Sequence, residues 1–409
     1  MWLIGLLWPW AGLGEIWGRV LSIIFSALTA VYLFRFLDDD LGQEAALYAG
    51  LLFSFIPLEV YFGRTVQPEA LALLATVAAF HHWRLALGPG RPWPHWAAAV
   101  AAAFLAVSHK LPYAYLLLPM AWLGWDRLRG RILRDAPVWG AFLLIAAGVF
   151  GWYRYASSGA YVVPTRMGEF TTILNYGRLP YYIKFQFLSR FPELVCTYPG
   201  LIFAGIGAYA LWGRERKSFY GIWFASVVLT LVAGGGYSFH HEYTSLPLAA
   251  ATAVFMGAGL AHLRERAATL APGLRSWAYA GLTLLVVSMP AYSALRIKHW
   301  YRENFPFLSK AAQAANLISA PDDLFLCNER APSVFLFYLH RRGWGTPFSD
   351  LGAQAEAAVE ERIRAGAKFF ATAKSGPFAD QGGETAQRFY SRFQVVYDQD
   401  GLLVFRLAP

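Results

Sequence analysis

The stretch Phe62-Gly63-Arg64-Thr65-Val66-Gln67-Pro68-Glu69-Ala70 is a short polar turn between two long apolar runs. With their flanks, the runs at residues 45–61 and 70–80 are each long enough to cross a bilayer as a helix. An arginine, an amide, a proline and a carboxylate therefore lie where two predicted spans meet one membrane surface. Because ionisable groups at that depth are costly and usually functional, the turn is the first candidate for a site.

The composition of the chain predicts a polytopic α-helical membrane protein. Only 15% of its 409 residues are charged, which is well below the share of about 25% that is typical of soluble domains. The net charge of +9 comes from basic residues in short loops between apolar runs, which is typical of membrane topology and excludes nucleic acid as a partner. The two cysteines, Cys196 and Cys327, form no metal-binding pattern, which favours two unrelated buried thiols.

Residues 1–297 are predicted to form a transmembrane domain with about ten helices. Lysine and arginine are concentrated in alternate loops, and the positive-inside rule places those loops in the cytoplasm. The turns at 64–69, 108–110 and 240–243 then face outward, together with an outer loop at residues 157–192. The predicted spans are residues 17–37, 45–62, 70–87, 95–107, 111–125, 136–155, 194–212, 219–232, 246–262 and 277–294.

Residues 298–409 have more charges and shorter apolar runs, which predicts a small α/β domain. The topology places this domain outside the cytoplasm. The turn Arg341-Arg342-Gly343-Trp344 is expected at its surface. Strands are predicted at 324–327, 334–338, 368–372, 393–397 and 402–407, and amphipathic helices at 307–318 and 350–365.

The turn carries two candidate functional groups. Glu69 follows Pro68 at a predicted helix start, where an acid interacts well with the helix dipole, so a purely structural role is as plausible as a role toward substrate. Arg64 could hold a phosphate by charge-assisted hydrogen bonds, or could extend along the membrane interface. Glu59 lies inside the second span and needs a partner there, such as Lys110, His109 or Arg64.

Other polar groups are expected on the same outer face. Lys110, next to His109, could bind phosphate or anchor its turn. The run His240-His241-Glu242 has side chains that can bind a metal, but they are adjacent in the chain rather than one helical turn apart. No metal ligand is therefore assigned, and the use of a divalent cation is left as an alternative. Tyrosines between residues 153 and 182 fit a sugar-stacking wall, and they fit an interfacial aromatic belt better.

The sequence resembles the polytopic GT-C glycosyltransferases that use polyprenyl-phosphate sugars, in the family-39-like branch of protein O-mannosyltransferases and lipid A aminoarabinose transferases. The order and spacing of several short motifs carry this resemblance. They are Trp17–Ser22, Ser54–Pro57, Phe62–Arg64, Gln67–Glu69, Ser108–Lys110, His241–Tyr243 and Leu246-Pro247, with Arg341–Trp344 in the C-terminal domain.

The resemblance implies an inverting transfer of a sugar from a lipid-phosphate donor to a protein, lipid or glycan acceptor at the outer face of a bacterial inner membrane. It implies that cations hold the donor phosphate, that Glu69 orients substrate, and that further side chains contact substrate. The phosphate ligands would be Arg64, Lys110, Arg166 and Arg178, and the other contacts Glu59, Gln67, His109, His240, His241 and Tyr243.

One departure from the family's pattern concerns the catalytic base. Residues 1–7 look like the end of the family's first span, and the acidic outer loop that supplies the base is missing from the sequence given, so no residue here is assigned as the base. The alternatives are an inactive or truncated GT-C-like subunit, or a transporter. A transporter should carry its polar groups at a broken helix near mid-membrane.

Overall fold

A computed structural model describes residues 15–158, 175–212, 218–302, 305–329, 334–346, 354–375, 378 and 384–407. The chain divides into two compact units, Met1–Tyr301 and Arg302–Pro409. The boundary predicted from the sequence, after residue 297, lies about one helical turn before this division.

All regular secondary structure in the described part of the first unit is helical. Short 3₁₀ turns at Leu111–Leu116, Arg129–Arg134, Tyr176–Arg178, Glu242–Ser245 and Lys298–Tyr301 connect or extend its helices. The α-helices are Glu15–Leu41, Gln43–Phe53, Pro57–Phe62, Glu69–Ala86, Trp93–His109, Leu117–Leu128, Ala136–Ser158, Leu179–Phe185, Tyr198–Leu211, Ser218–Ala233, Gly235–His240, Leu246–Ala268 and Pro272–Ile297.

Four helices in the described residues are long and apolar enough to cross a membrane. They are Ile16–Leu41, Ala136–Ser158, Glu242–Ala268 and Pro272–Tyr301. A fifth span results if the helical pair Tyr176–Val195 and Tyr198–Leu211, bent by 105°, counts as one. By length and composition the structure thus supports four or five spans, whereas the sequence predicts about ten.

Helix breaks account for part of this difference. The apolar run at residues 45–62 is divided into Gln43–Phe53 and Pro57–Phe62, with Ile56 in an extended conformation between them. Proline cannot donate the backbone hydrogen bond that a continuous helix needs, so Pro57 begins a new helix. The run at 111–125 likewise begins as a 3₁₀ helix containing Pro112 before it becomes α-helical at Leu117.

The predicted outer loop at residues 157–192 is helical in its described parts. The preceding helix continues to Ser158, and residues from Tyr176 onward form a 3₁₀ turn, the helix Leu179–Phe185 and a π-helix, Gln186–Val195. Pro180 suits the first turn of a helix, because the missing N–H would have had no partner there. The segment predicted as an outer loop is therefore helical at residues 176–192.

Helix Leu246–Ala268 lies at the centre of the first unit. Its span is 78% buried, against 11% to 28% for the other three long spans. It crosses helix Tyr198–Leu211 in close backbone contact, because a Cβ atom at Gly207 would lie 1.8 Å from the Phe255 carbonyl oxygen and one at Gly259 would lie 1.9 Å from the Phe203 carbonyl oxygen. Small residues at such a crossing allow the close approach that stabilises helix pairs in membranes.

The second unit contains a five-stranded sheet. Its strands are β1 (Leu324–Cys327), β2 (Arg342–Gly345), β3 (Ala367–Ala373), β4 (Gln394–Gln399) and β5 (Leu402–Arg406), in the order β2-β1-β3-β5-β4. Strand β1 is parallel to β2 and β3, and β5 is antiparallel to β3 and β4. Both faces are covered, so the apolar runs are continuous rather than alternating. The helices are the 3₁₀ helix Pro306–Lys310 and the α-helices Ala311–Ile318, Val334–Leu339, Gln354–Arg364 and Glu384–Arg392.

Two predictions for this unit are wrong. The strand predicted at residues 334–338 is the helix Val334–Leu339, because a short apolar run fits either element and Phe335 and Leu339 are buried one helical turn apart. The turn predicted around Arg342 is the edge strand β2. Gly343 permits this pairing, since a Cβ atom there would lie 1.7 Å from the Phe325 carbonyl oxygen on β1.

Candidate functional site

The turn after helix Pro57–Phe62 is fixed by two serines of the first long helix. Ser22 Oγ donates to the Thr65 carbonyl oxygen at 2.7 Å, and Ser26 Oγ donates to the Gly63 carbonyl oxygen at 3.2 Å. Gly63 must be glycine for packing reasons, because a Cβ atom there would lie 2.5 Å from the backbone oxygen and 2.7 Å from the carboxylate Oε1 of Glu59. The turn is thus held against its neighbours on both sides.

Glu69, Lys110 and Tyr243 come together from three separate turns. Lys110 Nζ forms an ion pair with Glu69 Oε1, and the same nitrogen lies 4.0 Å from the centroid of the Tyr243 ring. The Glu69 side chain is 2% exposed and that of Lys110 is 17% exposed. A cation held between a buried carboxylate and an aromatic face is stabilised by both groups. Tyr113 Oη also donates to the Glu69 carbonyl oxygen at 3.4 Å.

Arg64 contacts aromatic rings rather than an acid. Its guanidinium carbon lies 4.1 Å from the centroid of Tyr301 and 5.7 Å from that of Tyr61. Edge contacts from Tyr61 to Phe62, at 5.0 Å, and from Phe62 to Tyr243, at 5.9 Å, connect Arg64 to the ring that covers Lys110. Among the described residues no carboxylate forms an ion pair with Arg64, and its buried Nε has no hydrogen-bond partner there.

Buried polar atoms without a protein partner are concentrated on this segment. Of the thirteen such atoms in the described residues, four lie between residues 59 and 69, namely Glu59 Oε1, Arg64 Nε, Gln67 Oε1 and Glu69 Oε2. Native proteins leave few such atoms, and each one calls for an explanation such as an ordered water or a bound ligand. Four of them on a single turn and its flanking residues indicate a place that receives polar groups from outside the chain.

His241 and His240 face different surroundings. The His241 ring stacks on Tyr243 with centroids 5.1 Å apart and lies 4.6 Å from the Tyr237 ring. Burial, and then the charge of Lys110, lower the pKa of His241 below its usual value of 6.5. His240 is exposed and contacts Phe239 instead. Of the two histidines, only His241 touches the group around Lys110.

The remaining predicted residues lie elsewhere or have other neighbours. His109 is exposed, and its Nδ1 lies 3.0 Å from the Leu105 carbonyl oxygen of its own helix. Arg178 is exposed at the end of a 3₁₀ turn. Glu59 pairs with none of its predicted partners in the part of the chain that the structure describes. Arg166 lies outside the described residues.

Tyr113, Tyr237 and Tyr301 belong to the site but carry no sequence signal of their own. Tyr301 is the last residue of the span Pro272–Tyr301, far from Arg64 in the chain, and only the packing of the helices brings the two together. Tyr237 reaches the site through its hydroxyl group, which lies 3.2 Å from that of Tyr243.

A metal ion would need converging ligands. In the described ranges no three His, Cys, Asp or Glu side chains come close enough together to hold one. The residues that the structure describes therefore do not fit a divalent cation, and no step through a metal is derived.

Comparisons with known proteins point to one group of enzymes. Residues 1–153 match the family model for dolichyl-phosphate-mannose-protein mannosyltransferase. The structure is similar to ArnT from Cupriavidus metallidurans bound to undecaprenyl phosphate, with a TM-score of 0.63 and 15% identity over 100% of this chain and 87% of that chain. The resemblance to the GT-C glycosyltransferases is confirmed. A comparison with curated protein sequences finds no match.

Two further GT-C structures share the fold. The arabinofuranosyltransferase AftD from Mycobacteria aligns with a TM-score of 0.52 and 13% identity over 96% of this chain and 35% of that chain. The Archaeoglobus fulgidus oligosaccharyltransferase, in its complex with Zn and sulfate, aligns with a TM-score of 0.50 and 12% identity over 95% of this chain and 60% of that chain. At these identities the likeness concerns the GT-C fold alone.

Proposed function

We propose that this protein is a membrane glycosyltransferase that moves a sugar from a polyprenyl-phosphate donor to a protein, lipid or glycan acceptor, with inversion at the sugar carbon. The observation that carries the proposal is Lys110, held between the Glu69 carboxylate and the Tyr243 ring beside a segment with four unpaired buried polar atoms. The GT-C fold supports the same class of reaction.

The proposed roles follow from the chemistry of each group. In sugar transfer the bond to the lipid phosphate breaks, and negative charge develops on the departing phosphate. Lys110 has three N–H donors, and Glu69 accepts from one of them. Arg64, whose guanidinium lies against the Tyr301 ring, supplies a second cation. These two cations would bind and stabilise the departing phosphate.

Glu69 would position substrate rather than act as the base. Its Oε1 is engaged by Lys110, while its buried Oε2 accepts no hydrogen bond from any described residue. A hydroxyl group of the sugar or the acceptor could donate to that oxygen. Inversion also needs a base that deprotonates the acceptor, and none of the described residues is assigned that role.

We place the site at the outer face of a bacterial inner membrane, with the unit Arg302–Pro409 on the same side. The support is the distribution of lysine and arginine, which favours the cytoplasm for the loops opposite the Arg64 and Lys110 turns. Besides substrates, the partners would be the surrounding membrane lipids.

The proposal is tested by measuring sugar transfer and release of polyprenyl phosphate in proteoliposomes, with a panel of polyprenyl-phosphate sugars. Arg64→Ala and Lys110→Ala are each expected to lower the rate by about 100-fold, which is the typical effect of losing one donor to a developing negative charge. The control is Lys374→Ala, which removes an exposed ion pair with Asp398 in the second unit. Transfer at the wild-type rate in both variants would contradict the site assignment, whereas a wild-type chain inert toward every donor would favour a non-catalytic GT-C-like subunit.

A further inference from the structure

We propose that Arg190 is a positioning residue that holds the segment 238–245, so that Tyr243 stays over Lys110. The inference rests on the proposed function only in taking Lys110 as the group that binds the donor. Its structural part concerns how the chain covers that lysine, and it can be tested without any substrate.

Arg190 is a buried cation with neutral partners. Its side chain is 3% exposed, and its Nη1 donates to the Ser238 carbonyl oxygen at 2.7 Å while Nη2 donates to the Phe239 carbonyl oxygen at 2.6 Å. A third bond, of 3.0 Å, runs from Nη1 to Gln186 Oε1. Among the described residues no carboxylate forms an ion pair with it. The Phe185 ring, centred 5.4 Å from its guanidinium carbon, and the charge of Glu242 also stabilise the cation. Because burying a guanidinium is costly, its bonds to the Ser238 and Phe239 carbonyl oxygens are expected to hold that backbone in place.

Gln186 anchors the other end of the same segment. Its Nε2 donates to Ser245 Oγ at 3.0 Å, and this contact is buried. Gln186 and Arg190 both belong to the π-helix Gln186–Val195, a rare geometry that is frequently found at functional sites. Two side chains from one helix therefore hold the segment at both ends, at residues 238–239 and at residue 245.

Between these anchors the backbone makes the turn that carries the site residues. The helix Gly235–His240 ends, His241 is extended, and the 3₁₀ turn Glu242–Ser245 follows. Tyr243, in the middle of this stretch, places its ring 4.0 Å from Lys110 Nζ. Without Arg190 the Phe239 carbonyl group would lose its side-chain donor, and the Ser238 carbonyl group would keep the Thr244 hydroxyl group as a donor at 3.3 Å. The segment would then open, because solvated carbonyl groups are more stable than unpaired buried ones.

The test measures how fast Lys110 is acetylated by an amine-reactive reagent, using the full chain in lipid nanodiscs and peptide mass spectrometry. Lys110 is 17% exposed, so an open segment should raise its rate of modification. Arg190→Gln is expected to raise that rate about tenfold, consistent with the loss of charge-assisted hydrogen bonds. Arg190→Lys keeps a charged donor and is expected to give a rate between those of the wild type and Arg190→Gln.

Two comparisons separate positioning from general destabilisation. Tyr243→Ala should raise the Lys110 rate to a similar extent, and combining it with Arg190→Gln should add little, because both changes remove the same cover. Arg84→Gln is the matched control, since Arg84 is also buried and donates to the Phe36 carbonyl oxygen at 2.5 Å and to Asp39 at 2.8 Å. It should leave the Lys110 rate unchanged.

Several results would overturn the proposal. These are a wild-type Lys110 rate in folded Arg190→Gln, equal rates in Arg190→Gln and Arg190→Lys, additive effects with Tyr243→Ala, or an equal rise in Arg84→Gln. If Arg190→Gln does not fold, Gln186→Leu removes the other anchor and is expected to raise the rate severalfold, and an unchanged rate there counts against the proposal. Because acetylation needs no sugar donor, a failure of sugar transfer leaves this test intact.

Discussion

Neutralising Lys110 alone should cost more stability than neutralising both partners of the Glu69–Lys110 ion pair. The Glu69 carboxylate is 2% exposed, and Lys110→Met would leave it buried with neither oxygen paired by a described side chain. Breaking a buried pair in this way costs about 3–5 kcal/mol. Because Lys110 itself is 17% exposed and some water can reach the site, we expect the lower end, about 3 kcal/mol.

The two companion variants should behave differently. In Glu69→Gln the lysine can still reach solvent and the amide oxygen can still accept its hydrogen bond, so the expected loss is about 1 kcal/mol. The double variant Glu69→Gln/Lys110→Met buries no charge at all, and its stability should return to within about 1 kcal/mol of the wild type. All three should lose sugar transfer, because each lacks a group that the proposed reaction uses.

The assay is unfolding in mixed detergent micelles, followed by tryptophan fluorescence, with transfer measured on the same preparations. The order of stability should be wild type, then the double variant close to Glu69→Gln, then Lys110→Met. The reasoning is refuted if Lys110→Met is as stable as the wild type, or if the double variant is less stable than Lys110→Met alone. Either result would mean that the pair is not buried as the structure indicates.

Three further predictions concern other parts of the chain. Gly259→Ala should lower the free energy of unfolding by at least about 2 kcal/mol, because the added methyl group would collide with the backbone of the neighbouring helix. In the control Gly281→Ala the methyl group enters open space in a helix, so the change should be neutral or stabilising by up to about 1 kcal/mol. The pKa of His241 is lowered in the folded state, so its contribution to stability is fully present above pH 6.5 and is lost as the pH falls through the folded-state pKa. The wild type should therefore lose more stability between pH 7.5 and 5 than His241→Phe does. Gly343→Ala should break the pairing of β2 with β1, and hydrogen exchange should show lost protection at those strands, while protection at β4 and β5 persists.

Strand prediction in the second unit depended on how specific each pattern was. Residues 324–327 are a continuous apolar run, and residues 369–371 are a shorter one between Lys368 and Thr372. Each lies in a largely buried strand of the sheet. The run at 334–338 has the same composition but forms a helix, because its length is compatible with both elements. Strand β2 could not be recognised, since Arg342–Gly345 has no apolar pattern and pairs through its backbone.

In the first unit, single prolines determine where some helices begin, and a hydropathy profile does not show these breaks. The apolar run at 45–62 has the length of a span, yet Pro57 interrupts the helix and turns the chain toward Glu59 and the Arg64 turn. Hydropathy averages over such a break and therefore joins two helices into one predicted span. The close approach of Gly207 and Gly259 is equally invisible in a hydropathy profile, because it depends on which helix faces which.

Part of the candidate site could likewise be predicted from the sequence, and part of it could not. Charge counting predicts one membrane face for the three turns that carry Glu69, Lys110 and Tyr243, but it does not predict that Lys110 pairs with Glu69 beneath the Tyr243 ring. That Arg190 supports Tyr243, and that Tyr301 covers Arg64, follows from packing between segments far apart in the chain. No local pattern specifies such contacts, because they depend on helix orientation rather than on residue type.

The ion pair also bears on how a charged ligand could enter so apolar a site. In the free protein Glu69 neutralises Lys110, so that no isolated charge is buried. An arriving phosphate would compete with Glu69 for the ammonium group and would repel the carboxylate across a short distance in a medium of low dielectric constant. That repulsion falls if Glu69 Oε2 receives a hydrogen bond at the same time, and a sugar or acceptor hydroxyl group could donate it. In the proposed reaction, phosphate without a hydroxyl-bearing partner should therefore bind more weakly than the intact donor, because only the donor carries both groups.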